Sequence, residues 1–428
     1  MSSSGILIVS AYGRGHWMAA QFSRMGIPTS LIDVSEKIGS WVPEEIEGPF
    51  GFFQDENLDE SQVERLLEDD SFQEVKNGFT LWLKSGPLEL KGPVTAHRLK
   101  QLDVGARVQN YILNPSYDQK RKLVLAPYSE SWLAQLAHAY GSNGFYLNAD
   151  FLEWGKVSPL FATFSVRMPS RQGHRRSLDW CRRLGVKVIE KSIVKDVSLR
   201  DRRTIRGLEY QEDQSEKSQH LDCEQLIWCL SSEETSMLNA RLLEVFFPQG
   251  VLESEWYWAR FRLKIAEGHV RDELPLHSVL IDDLGKPWTH DNFIILQKTG
   301  SSDFFDAWMK LPTVQRFNKD YLNMRGTELT AVLMNRFVQL KVDVASYPLG
   351  YDLTYNSIGP VRQPLYDPVV KTRWKSSHFQ NVSLDSIEQG EGLGLQYQIL
   401  RQKKIVQNID QWWKKLLLKR NKNNEVRV

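Results

Sequence analysis

The 428-residue chain has only three cysteines, Cys181, Cys223 and Cys229, and no Cys-x-x-Cys spacing. That excludes a disulfide framework or a zinc knuckle and fits a reducing compartment, with each thiol acting as buried apolar filler. An excess of charge of either sign is lacking too. With 54 Lys and Arg against 53 Asp and Glu, the formal net charge is +1. No global basic surplus is available to neutralise phosphates, so a dedicated nucleic-acid binder is not expected. No apolar run approaches the roughly 20 residues that span a bilayer. The start, Met-Ser-Ser-Ser-Gly, has neither a basic region nor an apolar region, so no secretory signal is expected and the expected location is cytoplasmic. Internal repeats and low-complexity linkers are absent as well. What remains is an ordinary globular composition, 41% hydrophobic and 25% charged, with 14 tryptophans as its one oddity. Tryptophan in such numbers reads as large core and interface residues.

The first 35 residues carry an ordered pattern. Residues 5–10 are an apolar, β-branched run that predicts a buried parallel strand. A glycine-containing turn follows, then a helix over 15–25 with Trp17, Met18, Phe22 and Met25 as its apolar positions. Gly26-Ile27-Pro28 ends it, and 29–34 predicts a second strand closing on Asp33. A dinucleotide-binding turn has this layout, with Gly-x-Gly-x-x-Gly after the strand and an acid about 20 residues on. Gly15 stands at the third glycine position and Asp33 at the acid. Ser10 and Tyr12 occupy the first two glycine positions, where a tight turn and a close backbone approach to pyrophosphate are required. Gly13 and Arg14 are the compensating candidates, one for loop freedom and one for charge. Asp33 also suits the plainer role of capping the turn that follows it.

Further along, the pattern predicts a helix over 129–140, helical spacing from Val63 to Val75, and short strand-like pieces over 77–125. It predicts a helix over 174–184 leading into a strand at 186–189, and alternating segments at 192–199, 206–210 and 226–230. The charged stretch 211–222 reads as a solvated hairpin loop. Helices are predicted near 303–310 and 313–323, and one long terminal helix over 393–418. Residues 256–262, Trp-Tyr-Trp-Ala-Arg-Phe-Arg, read as a strand with one buried face.

Near the C-terminus, Asn381-Val382-Ser383-Leu384-Asp385 precedes Gly390, Gly392 and Gly394 and then the terminal helix. This run resembles the C-terminal flavin motif of the FAD-dependent amine oxidase, protoporphyrinogen oxidase and phytoene desaturase superfamily. In that motif an apolar strand, Gly-Asp, a glycine-rich turn and a helix follow one another. Leu384 replaces the glycine before the acid. Residues 168–194 resemble the family's return from its substrate domain. Gly39-Ser40 stands where the family commonly has a Gly-Gly pair, and the Arg that usually follows is absent.

The resemblance implies an α/β fold: a discontinuous, Rossmann-like FAD/NAD(P)-binding domain with an inserted α+β substrate domain. The FAD-like domain would take 1–60, 166–235 and 346–410, the substrate-like domain 61–165 and 236–345, with a basic amphipathic tail at 411–428. It implies FAD contacts at Ser10, Tyr12, Gly13, Arg14, Gly15, Asp33, Gly39, Val194, Asp385, Gly390, Gly392 and Gly394. Asp385 would take the acid that binds the ribityl chain, and Val194 the strand passing the adenine.

Two activities compete. The leading one is an FAD-dependent oxidoreductase of the amine oxidase or desaturase type, acting on a small organic or lipid-like substrate held against the flavin. The other is a pseudo-flavoprotein that has lost tight FAD binding and serves as a binding or assembly partner. A weaker third is a sugar-nucleotide mutase-like flavoenzyme, with Arg362 and Tyr366 as its polar contacts. No catalytic base stands out, since His97, His138, His174 and His378 have no partner visible in the sequence. The tail, with Trp412, Trp413, Lys414 and Lys415, either lies on an anionic membrane surface or packs its apolar side on the body.

Overall fold

The computed structural model describes residues 4–11, 13–38, 53–54, 72–75, 79–83, 86–90, 96–101, 106–113, 122–124, 151–153, 166–169, 173–213, 215, 217–251, 256–264, 277–281, 293–298, 304–315, 318–339, 360–361, 378–386 and 395–425. One seven-stranded sheet carries the elements that matter most. In chain order they are β1 (Ser4–Ser10), α1 (His16–Arg24), β2 (Thr29–Asp33), α2 (Ser35–Ile38) and α3 (Gly173–Arg183). There follow β3 (Lys187–Ile189), β4 (Ser192–Asp201), β5 (Thr204–Glu212) and β6 (Gln219–Trp228). The set ends with α4 (Ser232–Leu238), α5 (Ala240–Phe246), β7 (Val382–Leu384) and α6 (Leu395–Glu425).

The strand order is β3-β2-β1-β6-β5-β4, with β7 also on β6. The pairs β3–β2, β2–β1, β1–β6 and β6–β7 are parallel, and β4–β5 and β5–β6 are antiparallel. β6 is the strand shared by the two regimes. Its first half, 219–222, closes an antiparallel meander with β5, and its second half, 223–228, joins the parallel sheet beside β1.

β1 explains itself from sequence. Ile6, Leu7, Ile8 and Val9 are all fully buried. Ile6 and Ile8 belong to one core cluster, with Trp17, Met18 and Phe22 of α1, Leu178 and Trp180 of α3, and Ile405, Val406 and Ile409 of α6. Leu7 and Val9 belong to the cluster on the other face, with Ile32, Leu226, Trp228 and Phe246. A strand apolar at every position and covered on both faces is the parallel-sheet solution. Trp228 is fully buried, stacks on Phe246 with ring centroids 4.1 Å apart and donates its indole N–H to Thr235 Oγ1 at 2.9 Å. Gly26, at φ 72°, ends α1.

A second seven-stranded sheet takes, in order, Pro360–Val361, Trp256–Lys264, Phe304–Pro312, Phe293–Lys298, His277–Ile281, Phe79–Leu83 and Gly86–Leu90. It is antiparallel except where His277–Ile281 meets Phe79–Leu83. The fold is thus α/β, with a Rossmann-like parallel sheet whose strands come from widely separated parts of the chain.

Several sequence expectations are corrected. Residues 304–312 are a strand, not a helix, and the helix expected over 313–323 is a 3-10 turn at Thr313–Gln315 followed by Lys319–Gln339. Phe72–Val75 is a strand where helical spacing was expected, and the segment 77–125 includes the helices Ala96–Gln101 and Ala106–Leu113. The loop expected over 211–222 shrinks to the residues between β5 and β6. Met25 is 41% exposed rather than part of the apolar stripe. The terminal helix runs on to Glu425. The helix expected over 129–140 lies outside the described residues.

A candidate cofactor crevice closed by its own side chains

In open α/β sheets ligands sit beyond the carboxyl ends of the parallel strands. Here that edge is defined by register. Ser10 pairs with Asp33, Val9 with Trp228, and Trp228 with Leu384. Asp33 and Asp385 therefore end a row of four adjacent strands, β2-β1-β6-β7. Three strand spacings put them about 14 Å apart. The fold brings the two distant motifs to one edge.

The turn between β1 and α1 is held by its own backbone. Arg14 N–H donates to Ala11 O at 3.2 Å and His16 N–H to Gly13 O at 3.3 Å, while Ser10 Oγ donates to Arg14 O. Gly13 and Gly15 take positive φ, 82° and 89°. Gly15 is the N-cap of α1 and makes no side-chain cap there. A Cβ on Gly15 would sit 2.9 Å from Cys229 Sγ and 3.0 Å from Ile8 Cγ2, so this glycine sets how closely α1 approaches the sheet.

The acid at the end of β2 is engaged. Asp33 is 4% exposed. Its Oδ1 accepts from Ser35 N–H at 3.1 Å, a turn cap, and its Oδ2 lies 3.2 Å from His16 Nε2. His16 Nδ1 in turn meets Ser177 Oγ at 2.5 Å, which ties α3 to this end of the sheet. His16 and Ser177 are both buried.

The acid after β7 is more completely closed. Asp385 is fully buried. Oδ1 accepts from Arg401 Nε at 2.5 Å and Oδ2 from Gln402 Nε2 at 2.6 Å, both donors coming from α6. Its own N–H donates to Trp228 O at 2.8 Å. Arg14 is engaged as well. Its Nη2 pairs with Glu234 Oε1 and its Nε donates to Ala11 O at 3.1 Å. Glu234 forms a capping box with Ser231 at the start of α4.

Val194 is buried mid-strand in β4, opposite Tyr210, in the sheet core. Leu384 is half-buried and packs on the same core. Tyr12, Gly39, Gly390, Gly392 and Gly394 lie outside the described residues, as do His138, Arg362 and Tyr366. His97 and His378 are exposed. Sequence reasoning overlooked His16, Ser177, Glu234, Arg401 and Gln402. Only Glu234 had a signal, in the Ser-x-x-Glu spacing from Ser231.

Cys229 follows Trp228 at the centre of this edge and is fully buried. Burial raises its thiol pKa well above the usual range, and Asp385 adds to that, while Arg14 and Arg401 oppose it. Burial also pushes the Cys223 thiol up to about 12, with Glu224 and Asp222 contributing. The thiolate is the reactive form. Ellman's reagent is therefore expected to find no reactive thiol in the native protein at mildly alkaline pH and three after guanidinium denaturation. A native thiol that titrates rapidly would contradict the closed edge.

No protein-family model matches the chain, and no curated protein does. Solved structures do match. A four-substitution mutant of PqsL from Pseudomonas aeruginosa superposes with a TM-score of 0.52 at 9% identity, covering 97% of this chain and 88% of that one. The unsubstituted protein, described as a "probable FAD-dependent monooxygenase", gives 0.51 at 9% identity over 96% and 86%. Its complex with 2-aminobenzoylacetate gives the same values. At such identity the likeness concerns fold. The shared fold is the Rossmann-like α/β arrangement described above.

The residues present fit FAD only in part. The glycine turn and the glycine-capped α1 terminus suit a phosphate. The two acids do not suit the ribose and ribityl roles that the C-terminal and N-terminal resemblances imply, because their oxygens are bonded to protein groups and shut from solvent.

Proposed function

We propose that this chain is a pseudo-flavoprotein: it keeps an FAD-type fold, no longer holds FAD tightly, and acts as a binding or assembly partner. The observation that carries this reading is the closure of the strand-end edge, above all Asp385, fully buried with both oxygens bonded to Arg401 and Gln402. Opening that site to a ribityl chain would leave a buried Asp, Arg and Gln to find new partners, at a cost of several kcal/mol.

One observation favours the other reading, an FAD-dependent oxidoreductase. Gly13 and Gly15 keep positive φ before a helix whose N-cap is a glycine. If FAD binds there, the flavin supplies the hydride or electron transfer, and the chain supplies orientation and exclusion of water. The amine oxidase or desaturase type and its substrate belong to that reading.

An absorption spectrum of the purified protein, taken before and after incubation with excess FAD and desalting, separates the two. The expected result is no flavin band retained in either sample. A stoichiometric band surviving desalting would sink the pseudo-flavoprotein reading and make flavin reduction by candidate substrates the next assay.

A further inference from the structure

The end of α6 presents a surface that the crevice does not explain. Ile405, Val406 and Ile409 are buried on the inner side of the helix, and Trp412 and Trp413 pack partly buried on the same core cluster. Leu416 continues this stripe, half-buried and four residues after Trp412. The inner stripe is thus satisfied. Yet the same turns carry Leu417 and Leu418, 41% and 63% exposed, set among the exposed Lys414, Lys415 and Lys419. Scattered exposed leucines need no explanation. Two consecutive ones among three lysines, on a helix already anchored by its other side, form an amphipathic outer surface.

Charge points to the occupant. Residues 411–428 hold six Lys or Arg against one Glu, which leaves 48 basic against 52 acidic residues in the rest of the chain. All of the net positive charge is therefore in the tail. Among the described residues Asp410 pairs with Lys414 Nζ at 2.7 Å. Among the described residues no helix is long and apolar enough to cross a membrane.

We infer that the outer face of α6 around Lys414, Lys415, Leu417, Leu418 and Lys419 docks on an anionic lipid surface. The lysines meet headgroup charge, and the leucines enter the boundary between headgroups and acyl chains. The protein would then lie on the membrane while α6 keeps its inner contacts. Exposed leucines favour lipid over nucleic acid, whose phosphates offer them nothing. The inference stands whether or not FAD binds.

Flotation of the full-length protein with vesicles tests it. Association is expected with phosphatidylcholine vesicles doped with phosphatidylglycerol, at low salt, and not with pure phosphatidylcholine. Changing Lys414, Lys415 and Lys419 together to Gln is expected to weaken it roughly a hundredfold, at about 1 kcal/mol per basic residue near the surface. The pair Leu417→Ser and Leu418→Ser leaves every charge in place and is expected to weaken it at least about tenfold, from lost apolar burial. Helicity by circular dichroism should match the parent in both variants, since these side chains are exposed. If the triple variant misfolds, the leucine pair still decides. Failure to float with anionic vesicles, equal flotation with neutral ones, or undiminished flotation of a folded variant would overturn the inference. So would a protein or RNA that binds this face while vesicles do not.

Discussion

Arg401→Met is expected to lower the stability of the fold by about 3–5 kcal/mol, the usual cost of removing one partner of a buried ion pair. Asp385 is fully buried, and without the guanidinium it keeps one side-chain donor in Gln402. Among the described residues no other side-chain donor to its carboxylate is seen, and the group is shut from solvent. Arg401 itself is only 18% exposed, so methionine replaces its stem without opening a void to solvent. The control is the double variant Arg401→Met with Asp385→Leu. Replacing a whole buried pair by apolar groups is often neutral or stabilising, so most of the loss should return. Denaturant midpoints by far-UV circular dichroism, at matched slopes, read both effects. A shift below about 1 kcal/mol for the single variant would mean that Asp385 is not closed off, and the pseudo-flavoprotein reading would lose its main support.

The same acid shows how far the sequence can be read. That Asp33 and Asp385 each close a strand of one sheet was legible, because strand–turn–helix–strand spacing is local and the sheet register brings both to one edge. What the acids touch was not legible. Arg401 and Gln402 lie 16 and 17 residues beyond Asp385, and His16 and Ser177 are 161 residues apart. No local spacing encodes such contacts; only the packing of α3 and α6 on the sheet creates them.

The secondary-structure errors have physical causes too. Over 304–312 the bulky residues Phe304, Phe305, Trp308 and Met309 repeat every four, which mimics a helix. Ala307, Met309 and Leu311 are buried, a period of two that a small alanine hides. Over 211–222 the charges suggested a loop. β6 begins inside that stretch with Leu221 and Cys223 turned inward and Asp222 between them less buried, which is the pattern of a strand wet on one face.

Gly15→Ala is the second large effect, expected at about 3 kcal/mol from two separable sources. The first is backbone: at φ 89° a Cβ costs about 1–2 kcal/mol. The second is steric. The new methyl would meet Cys229 Sγ at 2.9 Å and Ile8 Cγ2 at 3.0 Å, an overpacking worth about 1–3 kcal/mol. Cys229→Ala removes the sulfur and leaves the Cys229 Cβ position at 3.7 Å, an ordinary contact. In a double-mutant cycle, Gly15→Ala should therefore cost less in the Cys229→Ala background, by roughly 1 kcal/mol, while the backbone part remains. Equal costs in both backgrounds would show that α1 can slide away from β6 and that Gly15 does not fix their approach. The distinction bears on function. Of the three glycine positions in a dinucleotide turn, the first two serve the turn and the pyrophosphate, and the third serves helix–strand packing. Ser10 and Tyr12 stand at the first two, and Gly15 holds the third. Under the pseudo-flavoprotein reading proposed above, the glycine that the core needs is retained and the two that the ligand needs are free to change.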